Sequence, residues 1–501
     1  MARLVEFSQD MEREVRFVED TDPGQIIQAT IDKLRAGDAP NTLMTAAALA
    51  VSRSCELPAD HHGGPIHPIA GIHATHHLAG RLDGEWGFVP VIQSVVLANK
   101  HIHSPDMGPT VMAAIEPAKD SGDVDAMLDA FATALMTRQS RQAERLLAAL
   151  IKTARPGQIL NAMLTVGLRQ NSLDDHFFLY PLYAIRALDD IGWEWAETVL
   201  RPPVRYLSRH PMVEQLPGFS SDFVAGGIAL YRRFGELEAL FDEFGLTEDR
   251  VALTASGDES EAIAALAETI GHVADVTTIG RLVAEGLGGG LSLDGAGEAL
   301  SIGGAMLFLR SRSGNPFDVH IHTGINARRY LLGLDGISFR NKILGLLTWS
   351  WGNEVRFIND VIDWPVGCDV EATELGQDDL LAAIEASITS QPVVHAFESD
   401  VTVDALELTE AAREPMALAQ QYAEAGFDPV PYFAMIGRLT CHDDVSEMHA
   451  YKMQQAAFEE YNATCERYRW MHMVSAAKHA ACVVEMIPKE VYPEVRARLD
   501  A

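Results

Sequence analysis

Residues 123–157 read DVDAMLDAFATALMTRQSRQAERLLAALIKTARPG, and this stretch shows the pattern that decides the fold. Apolar residues such as Met127, Phe131 and Leu135 recur at three- and four-residue spacing, which places them on one face of an α-helix. Asp123 precedes the run, and a proline and a glycine follow it, as is common where helices begin and end. The stretch therefore predicts helical structure.

The same spacing recurs along the chain, for example in residues 23–37, 41–54, 193–211, 405–426 and 449–488. Strand-like alternation is short and rare, and its best examples are GFVPVIQSVVL and EVRFIND. We expect an all-α protein of about twenty helices, joined mostly as αα-hairpins. Helix pairs of similar length suggest a solenoid or a toroid, although no fixed repeat period is present. A soft division near residue 250 gives two helical halves, 1–250 and 251–501.

The amino-acid composition limits which partners and which cellular compartment we expect. The 501 residues include 71 acidic and 39 basic side chains, and the formal net charge is −32. Such a chain repels nucleic acid and anionic membranes, so we expect neither as a partner. No run of apolar residues is long enough to span a membrane, and the N-terminus lacks the apolar region of a signal peptide. Five cysteines without a CxxC pair fit a reducing cytoplasm.

Histidine is concentrated in residues 60–82, DHHGGPIHPIAGIHATHHLAGRL, which hold six of the chain's 18 histidines. The glycines and prolines at its start predict a loop, and a helix should follow. Four-residue spacing puts His73 and His77 on one helix face, a common way to place two imidazoles on one metal ion. The preceding loop carries His62 and His67, and a second loop near the end of the next helix carries His101 and His103. We therefore predict metal ligands among these histidines, although helix capping and loop hydrogen bonds are the alternative for any one of them.

Other histidines lie at the starts or on the faces of later predicted helices. His320, His322, His442 and His449 are candidates for distal ligands or for catalytic proton transfer. For His176, and for the pair His472 and His479, capping or core roles are favoured. The Gly-rich run 286–305 lacks the GK[ST] of a phosphate loop, so close helix packing or a helix break is favoured there.

Two sets of segments carry a family resemblance. HPIAGIHATHHLAGRL (67–82) and VHIHTGINARRYLLG (319–333) resemble the histidine motifs of the all-helical questin oxidase-like proteins. Residues 98–109, 177–207 and 446–461 look similar to helical regions found beside Rieske domains in bacterial proteins. The resemblance implies an all-α oxidoreductase that acts with molecular oxygen or an electron carrier. The chain departs from the pattern because it has no C-x-H…C-x-x-H set and hence no Rieske cluster.

These observations favour a metal-dependent oxidoreductase, an oxygenase or oxidase, that acts on a small organic substrate in a helical cavity. Imidazole and carboxylate ligands suit a transition metal; iron is favoured, with haem and non-haem iron both open. An electron-donor protein and self-association are the other partners considered. Two alternatives remain open: a helical scaffold or partner subunit of a redox complex whose histidines are structural, and a hydrolase that uses a metal-bound water.

Overall fold

The chain is all-α, as the helical periodicity predicts. A computed structural model describes residues 3–56, 66–119, 121–209, 221–311, 319–352, 355–360, 362–390, 412–442, 448–483 and 491–501. Within these ranges the secondary structure consists of α-helices and short 3-10 turns, with two isolated β-bridges and no strand. The strand-like run at residues 87–97 falls almost wholly within a helix. The solenoid or toroid arrangement stays a prediction.

No helix in the described part of the chain has both the length and the apolar character that crossing a membrane requires.

Two compact units divide the chain, and each contains segments that are distant in sequence. Unit 1 consists of Met1–Tyr231, Leu334–Asn341 and Val491–Ala501. Unit 2 consists of Arg232–Gly333 and Lys342–Glu490. Helices α12 (Ser221–Arg232) and α18 (Phe339–Leu347) therefore cross the boundaries between the units.

Unit 1 contains most of the histidine-rich region. Its remaining helices are α1 (Gln9–Asp20), α2 (Ile26–Arg35), α3 (Pro40–Ser54), α4 (Ile66–Ala70), α5 (Ile72–Arg81), α6 (Phe88–Ile102), α7 (Val124–Met136), α8 (Ser140–Leu150), α9 (Pro156–Gln170), α10 (His176–Ile191), α11 (Ala196–Arg209) and α24 (Tyr492–Leu499).

Helix α10 organises the histidine-rich part of unit 1, because it packs against α3, α4, α5, α9 and α11. At its start the carboxylate of Asp174 accepts a hydrogen bond from the backbone N–H of His176, at 2.8 Å. At its end Gly192 adopts a φ of 110°, which residues with a side chain rarely adopt, so the helix stops at Ile191. These two ends fix where His176 and Asp190 lie on the helix.

Unit 2 is a second helical assembly with its own apolar core. Its helices are α13 (Phe234–Phe244), α14 (Ser260–Gly271), α15 (Ile279–Gly288), α16 (Leu293–Arg310), α17 (Val319–Gly333), α19 (Gln377–Thr389), α20 (Arg413–Glu424), α21 (Pro429–Thr440), α22 (His449–Ala463) and α23 (Trp470–Val483). Its core is formed by α14, α16 and α19–α23.

Glycines on α16 permit close helix packing at the centre of unit 2. A Cβ atom on Gly303 would lie 2.6 Å from the Cβ atom of Ile270 on α14, and a Cβ on Gly304 would collide with Ile325 on α17. The atoms near Gly303 are a Cβ and a backbone oxygen, which cannot move aside easily, so glycine is needed at this position for α14 and α16 to meet. The packing role predicted for this Gly-rich run is confirmed, and the run lies in helices α15 and α16 and their connection.

Candidate functional site

The histidines predicted to share a face of α5 meet a carboxylate from α10. The Nδ1 atom of His73 lies 2.7 Å from one carboxylate oxygen of Asp190, and the Nε2 atom of His77 lies 3.3 Å from the other. The two imidazole rings are 4.3 Å apart between centroids. Among the described residues, these three form the one group of three or more His, Cys, Asp or Glu side chains whose ligand atoms all lie within 4.8 Å of one another.

The electrostatics of this group favour an ionised carboxylate. Burial raises the pKa of Asp190, but hydrogen bonds from His73 and His77 outweigh it and lower the pKa to about 2. His76 stands beside the group, with its ring centroid 5.2 Å from that of His77. Burial lowers the pKa of His76 more than the charge of Asp190 raises it, which keeps this imidazole neutral. The group thus offers an anionic oxygen, the form in which a carboxylate binds metal ions.

The three donors are suited to one transition-metal ion. Ligand atoms about 2.1 Å from a common ion lie about 3.0–3.4 Å apart. The 3.3 Å contact of His77 is within this range, whereas the 2.7 Å contact of His73 is a hydrogen bond that an ion would have to replace, and the two imidazoles approach different oxygens of Asp190. The side chains of His73 and Asp190 are largely buried, whereas 43 % of the His77 side chain is exposed. Solvent and small molecules can therefore reach the group from the His77 side.

A second pair of imidazoles lies elsewhere on α10. The Nε2 atom of His67, on α4, is 3.3 Å from the Nε2 atom of His176, the first residue of α10. The Nδ1 atom of His176 lies 2.6 Å from Asp174, whose other oxygen accepts a hydrogen bond of 3.0 Å from the hydroxyl of Tyr206. His67 is thus paired with His176 rather than with His73 and His77, and the capping role favoured for His176 accounts for only part of its contacts.

Other predicted ligands in unit 1 bond to their own helix or lie outside the described residues. The Nδ1 atom of His101 lies 2.8 Å from the backbone oxygen of Leu97, and that of His103 lies 3.0 Å from the backbone oxygen of Asn99. These contacts are typical of histidines in the last turn of a helix. His62 lies outside the described residues, so its predicted role stays a prediction.

Three of the candidate catalytic histidines in unit 2 have another histidine ring as a neighbour. His320 and His449 have ring centroids 5.7 Å apart, and both are buried. His322 faces His472, also at 5.7 Å between ring centroids. His442 follows α21, and its backbone N–H donates to Leu439. Their catalytic roles stay predictions.

Around His472 is a buried polar network that sequence reasoning did not identify. Glu460 accepts hydrogen bonds from Ser301 at 2.7 Å and from Asn326 at 2.9 Å, and it pairs with Arg329. These contacts outweigh burial and lower the pKa of Glu460. The carboxylate is thus satisfied within unit 2 and needs no bound cation.

Asp190 is the member of the α5 group that sequence reasoning missed. It is 117 positions from His73, and the segment LDDIGW around it looks like an ordinary helix end. The available signal was an acidic pair near the end of a predicted helix, which is too common to identify a ligand.

Comparisons with protein-family models, with curated proteins and with solved structures give no match to this chain.

Proposed function

We propose that this protein is a metal-dependent oxidoreductase whose metal ion is held by His73, His77 and Asp190. The observation that carries the proposal is the convergence of three donors from two helices within 4.8 Å. Two imidazoles and one carboxylate form the ligand set of non-haem iron(II) oxygenases, in which the ion keeps open positions for oxygen and substrate. This set supports non-haem iron rather than haem as the cofactor.

The chain's own groups would define the site in three ways. Helices α5 and α10 fix the positions of His73 and Asp190, whose side chains are largely buried. Asp190 supplies one negative charge, which offsets part of the charge of a divalent ion. The exposed side of His77 leaves a path for a small organic substrate and for oxygen.

The proposal extends to partners and location. An oxygenase needs electrons, so an electron-donor protein or a small reductant is part of the proposed reaction, and self-association stays open. A cytoplasmic location is favoured by the cysteines, because all five lie among the described residues and none is half of a disulfide.

Oxygen consumption tests the function directly. Protein stripped of metal and loaded with iron(II) under argon is mixed with oxygenated buffer and ascorbate, and oxygen uptake is followed with an electrode. We expect uptake above that of free iron(II) in the wild type, and a loss of at least about tenfold in His73→Gln and Asp190→Asn, because each removes one ligand.

His272→Gln is the matched control, because this exposed histidine lies in unit 2 and should leave uptake unchanged. Equal uptake by the wild type and both ligand variants would contradict the oxidoreductase proposal. Bound metal without oxygen uptake would instead favour a hydrolase with a metal-bound water.

A further inference from the structure

The distances between His67 and His176 match those of two imidazoles on one tetrahedral ion. With metal–nitrogen bonds of ~2.0–2.1 Å and tetrahedral angles, two ligand nitrogens lie ~3.3 Å apart, and the ring centres lie ~5.2 Å apart. The observed nitrogen separation is 3.3 Å, and the observed centroid separation is 5.2 Å. N–H···O hydrogen bonds are most often about 2.9–3.0 Å long, so a contact of 3.3 Å is at the long end of the hydrogen-bond range.

In the tautomer whose Nδ1–H donates to Asp174, the Nε2 atom of His176 faces His67 with a lone pair. The Nδ1 atom of His176 lies 2.6 Å from the carboxylate of Asp174, within hydrogen-bonding distance. The carboxylate also accepts the backbone N–H of His176 and the hydroxyl of Tyr206, which fixes its orientation. A histidine whose outer nitrogen donates to an oriented carboxylate is the usual arrangement behind a metal-ligating imidazole.

This pair is separate from the group formed by His73, His77 and Asp190. His176 and Asp190 are fourteen positions apart on α10, which corresponds to about 21 Å along the helix axis. Side chains of histidine and aspartate are too short to bridge that distance through one ion. An ion at His67 and His176 would therefore be additional to one at Asp190.

We propose that His67 and His176 bind a second divalent metal ion of the zinc class, with Asp174 and Tyr206 orienting His176. Imidazole nitrogen is a preferred ligand of zinc and of its substitute cobalt(II). These two ligands, which come from the described residues, leave two further positions on a tetrahedral ion. His67 is 2 % exposed and the side chain of His176 is 13 % exposed, so the ion would lie below the surface of unit 1.

Cobalt(II) titration of metal-free protein tests the proposal, because tetrahedral cobalt absorbs visible light much more strongly than octahedral cobalt. We expect the wild type to bind two equivalents and to develop the strong tetrahedral bands. His67→Gln and His176→Gln should each lose one equivalent together with these bands. Asp190→Asn should lose the other equivalent of cobalt and keep the tetrahedral bands. The titration therefore tests the two metal sites independently of each other.

Two further variants keep the test decisive. Asp174→Asn retains both ligands and should weaken cobalt binding at this site by about 10–100-fold, even if the glutamine variants fold poorly by circular dichroism. His272→Gln, at an exposed histidine of unit 2, is the control and should keep both equivalents. The proposal is overturned if the tetrahedral bands are absent from the wild type, or if they persist unchanged in His67→Gln and Asp174→Asn; the two imidazoles would then share a hydrogen bond only.

Discussion

Acidification is expected to destabilise unit 2, because it buries histidines in their neutral form. Burial lowers the pKa of His479 to about 3. Burial also lowers the pKa of His472 to about 4, outweighing the attraction of Glu460. An imidazole in the unfolded chain has a pKa near 6.5. Between that value and the folded-state pKa values, the unfolded chain binds protons that the folded unit does not, so stability falls as the pH falls.

The size of the effect follows from the difference in proton binding. A pH of about 5 is about 1.5 pH units below the pKa of an imidazole in the unfolded chain. An imidazole that is protonated at this pH only in the unfolded chain therefore lowers the free energy of unfolding by about 2 kcal/mol. His472 and His479 are both neutral in the folded unit at this pH. Together they should lower the free energy of unfolding by about 4 kcal/mol between about pH 8 and about pH 5, a large share of the about 5–15 kcal/mol typical of proteins.

Urea unfolding followed by circular dichroism at both pH values measures this loss in the wild type and in His479→Leu. Leucine binds no proton, so the pH-dependent loss in the variant should be smaller by about 2 kcal/mol. His272→Leu is the matched control, since 52 % of this side chain is exposed and it is solvated whether or not the chain is folded. A loss in His479→Leu equal to that of the wild type would refute the reasoning.

Two further predictions concern the packing of unit 2. Lys478→Met should lower the free energy of unfolding by about 2–3 kcal/mol. The buried ammonium donates hydrogen bonds to the backbone oxygens of Phe308 and Ser311, and methionine cannot. A loss below about 0.5 kcal/mol in urea denaturation would contradict this prediction. Gly303→Ala should cost about 1–3 kcal/mol because its new Cβ collides with α14. Gly235→Ala, whose Cβ meets no atom within 4 Å, should instead raise the free energy of unfolding by up to about 1 kcal/mol. Equal melting temperatures for the two glycine variants would contradict both predictions.

Local patterns predicted the helices and the histidine pair because both depend on residues that are close in sequence. The 3.6-residue period identifies a helix without knowledge of its neighbours. It also determines that His73 and His77, four positions apart, lie on one face of α5. The same reasoning explains why the Gly-rich run could be assigned to helix packing, since it lacks both the lysine and the strand of a phosphate loop.

The partners of these histidines could not be predicted because they come from distant helices. Asp190 reaches His73 only through the packing of α5 against α10, across 117 positions. The packing of α4 against α10 joins His67 to His176 across 109 positions. Helical periodicity defines which face of a helix is apolar but not which helix covers it. The assignment of residues 334–341 and 491–501 to unit 1 is likewise a consequence of tertiary contacts.

Metal stoichiometry tests whether His73, His77 and Asp190 bind a transition-metal ion. Metal-free wild type and Asp190→Asn are each equilibrated with excess iron(II) under argon, passed through a desalting column and assayed for iron per chain. We expect the wild type to retain one equivalent of iron more than the variant. The same iron content in both proteins, with unchanged circular dichroism, would contradict it.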